Sequence, residues 1–460
     1  MKCAVFLVER WHYPRPDHPI ERAESQIVMS LNRQIARGAA WMGLLRVLVR
    51  GIGLVSTVIL ARLLVPEDFG LIAMATSIIA GLQLATAFSF DIPLIQKQDA
   101  DRTYFDSAWT LTVMFYAGLT AVLVLLAPAA AAFYNDERLP AIIYVLAIGF
   151  FVQGFENIGI VHFRKQLDFR QDFVLMLSKK VAGFAVTIPL AYFLRSYWAL
   201  IAGMVFGNIL GVGLSYALHP FRPKLSTERI RYLFSFSKWL MLNNVVNYLR
   251  TRSPDFVLGR ISGTATLGLF TVAHEISTLP TTELVAPINR VVFPAYSKLA
   301  GDLASLRQSF VDVLMVIAAV ALPTALGIAV IATPLVDTFL GDKWAEVAPI
   351  VSILAVYGGV SALHSNTGSV FNAIAKPHLI TWIGVVDIAV LVPSSIVLAM
   401  HFGPMGVAAA FLGTVLVRTP FVFWHVSRET HLRASGYWSA LWRAAGCSIA
   451  MYVIVHELGR

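Results

Sequence analysis

The stretch LARLLVPEDFGLIAMA at residues 60–75 has a distant copy, LGRISGTATLGLFTVA, at residues 258–273. One ungapped shift of 198 residues (258 minus 60) aligns Trp41 with Trp239, Leu60 with Leu258, Arg62 with Arg260, Gly70 with Gly268, Leu71 with Leu269 and Ala75 with Ala273. Chance alignment of hydrophobic helices produces matches at Leu and Ala, but it seldom matches both a Trp and an Arg at one spacing. The sequence therefore indicates an internal duplication.

The composition of the chain is that of a protein surrounded by lipid. Hydrophobic residues make up 57% of the 460 residues and charged residues 14%, with a mean hydropathy of +0.70. A soluble domain carries roughly 25% charged and about 45–50% apolar residues, and the surplus here is too large for one water-soluble core. The two cysteines, Cys3 and Cys447, provide neither a disulfide framework nor a metal-ligand cluster.

Thirteen apolar segments are each long enough to supply the ~20 helical residues that cross about 30 Å of hydrocarbon. They lie at 40–64, 69–90, 107–132, 140–161, 173–193, 198–217, 237–258, 267–293, 309–332, 347–370, 379–401, 405–425 and 437–457. Only helices and closed barrels satisfy their backbone polar groups in lipid, and these runs are too long and continuous for barrel strands. The sequence therefore predicts an all-α integral membrane protein.

The duplication and the segments together predict the domain organisation. A tail at 1–39 precedes a six-helix bundle at 40–217, a linker at 218–236, a second six-helix bundle at 237–425 and, at 426–460, a linker with a thirteenth helix. Because six segments, an even number, make one repeat, both bundles have the same orientation and are related by an axis along the membrane normal. The Pro-rich residues 1–28 are expected to be disordered, or to precede a true start at Met29.

The basic residues of the loops predict the orientation of the chain. Sixteen Lys and Arg lie in loops on the side of the amino end, whereas the opposite loops hold four, namely Arg138, Arg195, Arg260 and Lys343. This asymmetry predicts a cytoplasmic amino terminus. The formal net charge of +9 is scattered through these loops, where it sets topology and meets anionic lipid, so we expect no nucleic-acid partner.

Two classes of membrane protein are disfavoured by the motifs. The chain has no GxxxxGK[ST] loop, which an ATP-driven transporter would need to hold nucleotide phosphates. The triplet Asp99–Ala100–Asp101 looks like the metal-binding DxD of membrane glycosyltransferases, but it falls on the predicted inner side and is weak evidence alone. We therefore expect a transporter rather than an enzyme.

Residues 60–75 also carry a family signature. This stretch resembles the first-helix signature of Wzx-type oligosaccharide flippases, within the multidrug/oligosaccharidyl-lipid/polysaccharide exporter superfamily, and the nearest branch is the colanic-acid-exporter type. PEDFG is the specific part, and softer matches follow in FYNDERL (133–139), FRKQLDFR (163–170), LGLFTVAHE (267–275), VFPAYSKLAGDLASLRQSF (292–310) and GDKWAEVAPI (341–350).

The resemblance implies a bacterial inner-membrane protein that serves exopolysaccharide or lipopolysaccharide O-antigen export. Such a protein moves undecaprenyl-pyrophosphate-linked oligosaccharides from the cytoplasmic to the periplasmic leaflet by alternating access of two six-helix bundles. Family members usually have fourteen helices, so a fourteenth helix is expected to be absent here or to lie beyond Arg460.

Arginines enter the hydrocarbon at repeat-equivalent places. Arg46 and Arg50 share one face of segment 1, and Arg50 lies ten residues beyond Ala40, about 15 Å deep at 1.5 Å per residue. Burying an arginine there costs at least ~2.5–3.5 kcal/mol unless it faces water or a partner. Snorkelling explains Arg46 better than Arg50. Segment 7 carries a polar stripe that includes Asn247 and Arg250.

These polar residues define the predicted site. Guanidinium groups bind phosphates bidentately and stay protonated, so Arg50 and Arg250, with Arg46 beside them, are predicted to hold the pyrophosphate. Hydrogen bonds to sugar hydroxyls are predicted for Asn243, Asn247, Thr278 and Thr282. Glu275 and Glu283 are predicted to bind a coupling proton or sodium ion, or to neutralise an arginine. Asp255 either does the same or pairs with Arg252.

Four further intramembrane charges are interpreted as helix caps or helix–helix contacts, namely Glu156, Asp312, Asp387 and Arg418. No cofactor is expected. The expected partners are a lipid-linked oligosaccharide, membrane lipids, and a polysaccharide polymerase with its export machinery. Two other transporters remain possible from sequence. A multidrug or organic-cation antiporter of similar duplicated fold should have an acidic cavity, and a peptidoglycan lipid-precursor flippase would share the pyrophosphate group.

Overall fold

The computed structural model describes residues 19–86, 94–95, 100–229, 238–278, 280–376 and 378–458, and almost all of them are helical. The helices of the first half are α1 (Pro19–Leu63), α2 (Pro66–Thr86), α3 (Arg102–Tyr134), α4a (Leu139–Gln153), α4b (Val161–Lys165), α5 (Phe169–Leu194) and α6 (Trp198–Leu218). Those of the second half begin with α7 (Lys238–Ile261), α8a (Gly263–Ser277), α8b (Ala286–Leu299), α9a (Leu303–Val330) and α9b (Ala332–Phe339).

The second half continues with α10a (Val347–Leu363) and α10b (Thr367–Ala373). The next helix, His378–Thr430, has non-helical backbone angles at Gly403 (φ 54°, ψ −132°), and this kink divides it into α11 and α12. The last helix is α13 (Ala434–Leu458). Each of the thirteen predicted segments therefore corresponds to one helix or to one broken helix.

Two of the thirteen membrane-spanning segments differ in composition from the rest. Among the described residues, nine helices are long and apolar enough to cross a membrane, counting His378–Thr430 once, and the pair α4a–α4b, bent by 61°, adds a tenth. The helices outside this set are α7 and α8, because polar side chains interrupt their apolar surfaces and α8 is broken by a π-helical turn at Pro280–Val285. The two least apolar membrane-spanning helices, α7 and α8, therefore contain most of the predicted site residues.

The duplication is visible in a reciprocal contact between α2 and α8a. A Cβ atom added at Gly70 would lie 1.8 Å from the carbonyl oxygen of Thr264, and one added at Gly268 would lie 1.8 Å from that of Pro66. The same shift of 198 residues converts one contact into the other, as a twofold relation between the halves requires. The predicted fold of two duplicated helical bundles is confirmed. The predicted superposition of Trp41 on Trp239 stays a prediction, since the side chain of Trp239 lies outside the described part.

One hydrophobic core joins the two halves at the α1–α2 end of the molecule. It contains Leu71 and Ile142 of the first half together with Leu258, Val351 and Phe411 of the second, all buried. At the opposite end the buried clusters are separate: one is built from α3 and α4b and the other from α8b to α13. Among the described residues, the buried hydrophobic core that both halves share therefore lies at the α1–α2 end.

Polar side chains of α3 hold the first part of the linker between the halves. After α6, residues 219–229 run along α3, where the amide of Lys224 donates to Asp106 Oδ1 at 2.9 Å and the amide of Ser226 donates to Thr110 Oγ1 at 2.9 Å. Both acceptor side chains are buried, so the linker's backbone polar groups replace water as their partners. The first part of the predicted linker is thus fixed to the first half, whereas residues 230–237 lie outside the described part.

The turn after α3 is built from the FYNDERL motif. Asn135 ends the helix in the left-handed conformation (φ 56°), which asparagine tolerates better than most residues. Arg138 then donates hydrogen bonds to Asp136 Oδ2 at 2.7 Å and to Glu67 Oε1 at 2.8 Å. The hydrogen bond from Arg138 holds the pKa of Asp136 below its ordinary value. This turn therefore ties the α3–α4a loop to the first turn of α2.

Candidate functional site

A first charged cluster joins α1 to α8 and so crosses between the two halves. Arg50 Nη1 lies 3.7 Å from Glu275 Oε1, and Arg50 Nε lies 3.4 Å from Glu283 Oε1. Arg46 Nε is 3.9 Å from Glu283 Oε2. Thr57 donates to Glu275 Oε2 at 3.1 Å. Glu283 reaches this cluster from the π-helical turn that breaks α8.

The charges of this cluster balance. Two arginines face two glutamates, and Arg50 Nη2 also donates to the backbone carbonyl of Glu275 at 3.2 Å. Breaking such a pair leaves a partly buried charge without its partner, which is costly. The geometry therefore matches the neutralising role predicted as the second possibility for Glu275 and Glu283, and binding of a pyrophosphate by Arg46 or Arg50 stays a prediction.

A second cluster lies wholly within the second half. Arg418 Nη1 of α12 donates to Asp387 Oδ2 of α11 at 2.7 Å, and Arg250 Nη1 of α7 lies 3.9 Å from the same oxygen. The side chains of Asp387 and Arg418 are 3% and 10% exposed, whereas that of Arg250 is 42% exposed. Asn247 accepts a hydrogen bond from Arg250 at 3.4 Å.

Asp387 and Arg418 make a helix–helix contact, which is one of the two roles that the sequence indicates for them. That contact also includes the predicted site residue Arg250, which the sequence does not connect with them. The two residues are 31 positions apart on different helices, so no local spacing pattern connects them. The available signal was the presence of an isolated charge in each of two strongly apolar helices, which marks a functional site by default.

A cavity of about 370 Å³ adjoins this second cluster. It lies between α7, α10, α11 and α12, and its polar lining consists of Asn247, Arg250, Ser361, His364, Ser365, Thr367, Asp387 and Arg418. Its apolar lining includes Val246, Phe371, Ile380, Ile383 and Val422. Two guanidinium groups and one carboxylate leave one net positive charge, so this cavity has an unbalanced cation where the first cluster has none.

Of the remaining predicted residues, the structure describes the side chains of Asp255 and Thr278, and both make contacts within their own helices. Asp255 is buried and accepts from Arg252 Nη1 at 3.1 Å, so the predicted local pairing is present. The hydroxyl of Thr278 donates to the carbonyl of His274 at 2.9 Å, within its own helix. The side chains of Asn243 and Thr282 lie outside the described part of the chain.

One membrane-embedded pair in the first half joins Glu156, for which the sequence indicates a helix cap or a helix–helix contact, to a lysine that no sequence pattern singled out. Lys179 Nζ of α5 lies 3.5 Å from Glu156 Oε1, at the bend between α4a and α4b. The lysine's methylene groups face Gly211 of α6, where an added Cβ would come within 2.4 Å of Lys179 Cε. Among the described residues, no group of three or more His, Cys, Asp and Glu side chains could hold a metal ion.

A family model and several known proteins of polysaccharide biosynthesis are similar to this chain in sequence. A family model described as "Polysaccharide biosynthesis protein" matches residues 59–349. The lipopolysaccharide biosynthesis protein WzxC of Escherichia coli (strain K12) is 26% identical to this chain over 441 residues, which cover 94% of this chain and 89% of that protein. The succinoglycan biosynthesis transport protein ExoT of Rhizobium meliloti (strain 1021) is 23% identical over 339 residues, covering 71% and 67% of the two chains.

The fold has a close counterpart among solved structures. The lipid II flippase MurJ, in an inward closed conformation, superimposes with a TM-score of 0.72 at 13% identity, covering 90% of this chain and 97% of that chain. At this identity the likeness concerns the fold alone.

Proposed function

The chain belongs to the polysaccharide biosynthesis protein family, and from that premise we propose that it moves polyprenyl-pyrophosphate-linked oligosaccharides across the bacterial inner membrane. The resemblance of its PEDFG stretch to Wzx-type flippases is confirmed by this family match. The names of WzxC and ExoT, which refer to lipopolysaccharide biosynthesis and to transport in succinoglycan biosynthesis, support the proposal. The chain is accordingly a transporter and not an enzyme.

The observation that carries the proposal is the unbalanced guanidinium of Arg250. It lies 3.9 Å from a carboxylate that Arg418 already holds at 2.7 Å, and 42% of its side chain is exposed. A pyrophosphate carries two or more negative charges and many acceptor oxygens, and a guanidinium recognises such groups with paired hydrogen bonds. Arg250 can accept this ligand without giving up a close ion pair, whereas Arg50 would have to leave Glu275 and Glu283.

The proposal is tested by comparing arginine variants for polysaccharide export and for membrane protein level. Arg250→Gln should slow export about tenfold or more at near-normal abundance, because a hydrogen bond to a charged group contributes ~1.5–3 kcal/mol and ~1.4 kcal/mol is one decade. Arg250→Lys should restore export only partly, since lysine keeps the charge but lacks the planar fork. Arg260→Gln is the matched control, because Arg260 is an exposed arginine in the last turn of the same helix.

A different pattern is expected for Arg50. Arg50→Gln should lower protein abundance, because it leaves Glu275 without its guanidinium partner and leaves Glu283 with Arg46 alone. A second change, Glu283→Gln, should restore part of the lost abundance. Full export by an abundant Arg250→Gln variant would contradict the proposed role of Arg250 in binding the pyrophosphate.

The proposed transport cycle is alternating access of the two halves, with the amino terminus in the cytoplasm. In that orientation the shared core at the α1–α2 end faces the periplasm, and substrate enters from the opposite end. A proton or sodium gradient is proposed to drive the cycle, and the polymerase and export machinery are proposed to receive the product. An organic-cation antiporter is less well supported, because the described carboxylates of both clusters are held by arginines.

A further inference from the structure

The cavity beside Arg250 is lined by two chemical kinds of side chain. Ser361, His364 and Ser365, near the end of α10a, provide hydroxyl and imidazole groups. Phe371 and Ile380 provide an aromatic ring and an aliphatic side chain. A cavity with both polar and apolar lining suits a ligand that has both hydroxyl groups and C–H faces, which is the surface that a sugar ring presents.

Several polar atoms of the cavity residues have no hydrogen-bond partner within the described protein. They are Asp387 Oδ1, Arg418 Nε, His364 Nδ1 and Ser365 Oγ, and all of them are buried. Native proteins rarely leave such atoms unsatisfied, and each one that is unsatisfied calls for an explanation. These four atoms belong to side chains that line one cavity, so a single ligand in that cavity can serve as the common explanation after small side-chain rotations.

The chemistry of these atoms restricts the ligand. A carboxylate oxygen only accepts hydrogen bonds and a guanidinium nitrogen only donates them. A phosphate dianion has acceptors alone and so cannot satisfy Asp387, and an ammonium ion has donors alone and so cannot satisfy Arg418. A hydroxyl group both donates and accepts, and a ligand with several hydroxyls on a ring satisfies both kinds of atom at once.

The size and position of the cavity restrict the ligand further. A volume of about 370 Å³ is near the lower end of the ~300–1,000 Å³ typical of small-molecule pockets, which suits one sugar ring rather than a chain of rings. Among its lining residues, Asn247 is exposed and the Arg250 side chain is 42% exposed. A ring in the cavity is therefore next to a pyrophosphate bound at Arg250.

We propose that this cavity is a subsite for the sugar residue attached directly to the pyrophosphate. The inference rests on the proposed function, because that function supplies the pyrophosphate at Arg250. It adds a recognition step: the second half of the protein reads the first sugar, and the remaining sugars of the oligosaccharide lie outside the cavity.

The test compares lipid binding by the purified protein with native mass spectrometry. The probes are undecaprenyl pyrophosphate without sugar and the same lipid carrying glucose, galactose or N-acetylglucosamine. The wild type should bind at least one of the sugar-bearing lipids about tenfold more tightly than the bare lipid, which corresponds to ~1.4 kcal/mol. Two or three net hydrogen bonds suffice for a difference of this size.

Variants locate the preference in the cavity. Gly368 lines the cavity, and a Cβ added there would meet only Ile380 Cδ1 at 3.7 Å, so Gly368→Leu should fill the space without a backbone clash. This variant should lose the preference for the sugar-bearing lipid but keep its affinity for the bare lipid. Gly413→Leu is the matched control, because an added Cβ there meets nothing within 4 Å and the residue is exposed on α12.

A milder variant covers the case in which Gly368→Leu fails to fold. Ser365→Ala removes only one unpartnered hydroxyl, and it should reduce the preference about threefold. Equal binding of the bare lipid and all three sugar-bearing lipids by the wild type would overturn the subsite and identify the cavity as a water-filled void. An equal loss of all lipids in a folded Gly368→Leu variant would overturn it too. Failure of the wild type to bind any of the lipids would instead contradict the proposed function.

Discussion

Replacing Gly70 by alanine tests the reciprocal contact between α2 and α8a. The added methyl carbon would lie 1.8 Å from the carbonyl oxygen of Thr264, whereas ordinary contacts begin at 3.4 Å. This carbonyl oxygen belongs to the backbone and cannot rotate away, so the two helices must separate by about 1.6 Å, the difference between these distances. Because the clash exists only while the halves are packed together at this end, the substitution should shift the protein towards the separated conformation.

The expected magnitude follows from two opposing effects. Overpacking of a close contact costs typically ~1–3 kcal/mol, while alanine in place of glycine favours a helix by roughly 0.5–1 kcal/mol. The helical gain applies to both conformations and cancels from their equilibrium, whereas the clash applies only to one. The equilibrium between packed and separated halves should therefore move by the clash cost of about 1–3 kcal/mol, a factor of roughly 5–160. Gly268→Ala should have the same effect, and the double variant should have less than the summed effect, since one separation relieves both clashes.

The measurement is an electron–electron distance between spin labels on opposite halves at this end. Labels at Val65 and Phe339 are suitable, because both side chains are exposed, and the native Cys3 and Cys447 are both replaced by serine. Gly118→Ala is the matched control, since an added Cβ at Gly118 in α3 meets nothing within 4 Å. An unchanged distance distribution in Gly70→Ala, or an equal shift in the Gly118→Ala control, would refute the reasoning.

Three further predictions concern the loops and the shared end of the molecule. Trp344→Phe keeps a buried ring but removes the indole N–H that donates to the Ala61 carbonyl at 2.8 Å. The melting temperature of the purified protein should therefore fall by a few degrees, as expected for a loss of ~1–3 kcal/mol. An unchanged melting temperature would argue against this contact. Because Arg138 lowers the pKa of Asp136, the pair stabilises the protein at neutral pH and is lost as the pH falls through that lowered pKa. Asp136→Asn should therefore melt below the wild type at pH 7, with the difference disappearing below about pH 4; a difference that persists in acid would contradict this account. A cysteine at Arg229 should react with an impermeant thiol reagent only from the cytoplasm and one at Asp136 only from outside, and the reverse pattern would invert the proposed orientation.

The duplicated fold could be predicted because its determinants are local. Segment length follows from the thickness of the membrane, and the single ungapped spacing that aligns Gly70 with Gly268 indicated the duplication. The sequence could not show that each glycine contacts the residue four positions before the other one, Thr264 for Gly70 and Pro66 for Gly268. That relation requires two helices to meet at their first turns, which is a property of the packed structure.

The site could be predicted only in part, because its contacts join distant helices. The position of Arg250 on α7 followed from helical periodicity, but its neighbours Asp387 and Arg418 come from α11 and α12. Likewise, the sequence identified Arg50, Glu275 and Glu283 without deciding which of them meet. The π-helical turn at Pro280–Val285 changes the angular position of the residues within it relative to α8a, and a regular 3.6-residue repeat does not anticipate such a break.

The central claim is that this protein transports a lipid-linked sugar with Arg250 as a principal anchor of the pyrophosphate. The most direct measurement is transbilayer movement of a fluorescent undecaprenyl-pyrophosphate-linked sugar in vesicles reconstituted with the purified protein, under an imposed proton or sodium gradient. The account predicts movement well above that in protein-free vesicles, reduced about tenfold or more in Arg250→Gln and unchanged in Arg260→Gln. Movement no faster than in protein-free vesicles, or equal movement in the wild type and Arg250→Gln, would contradict it.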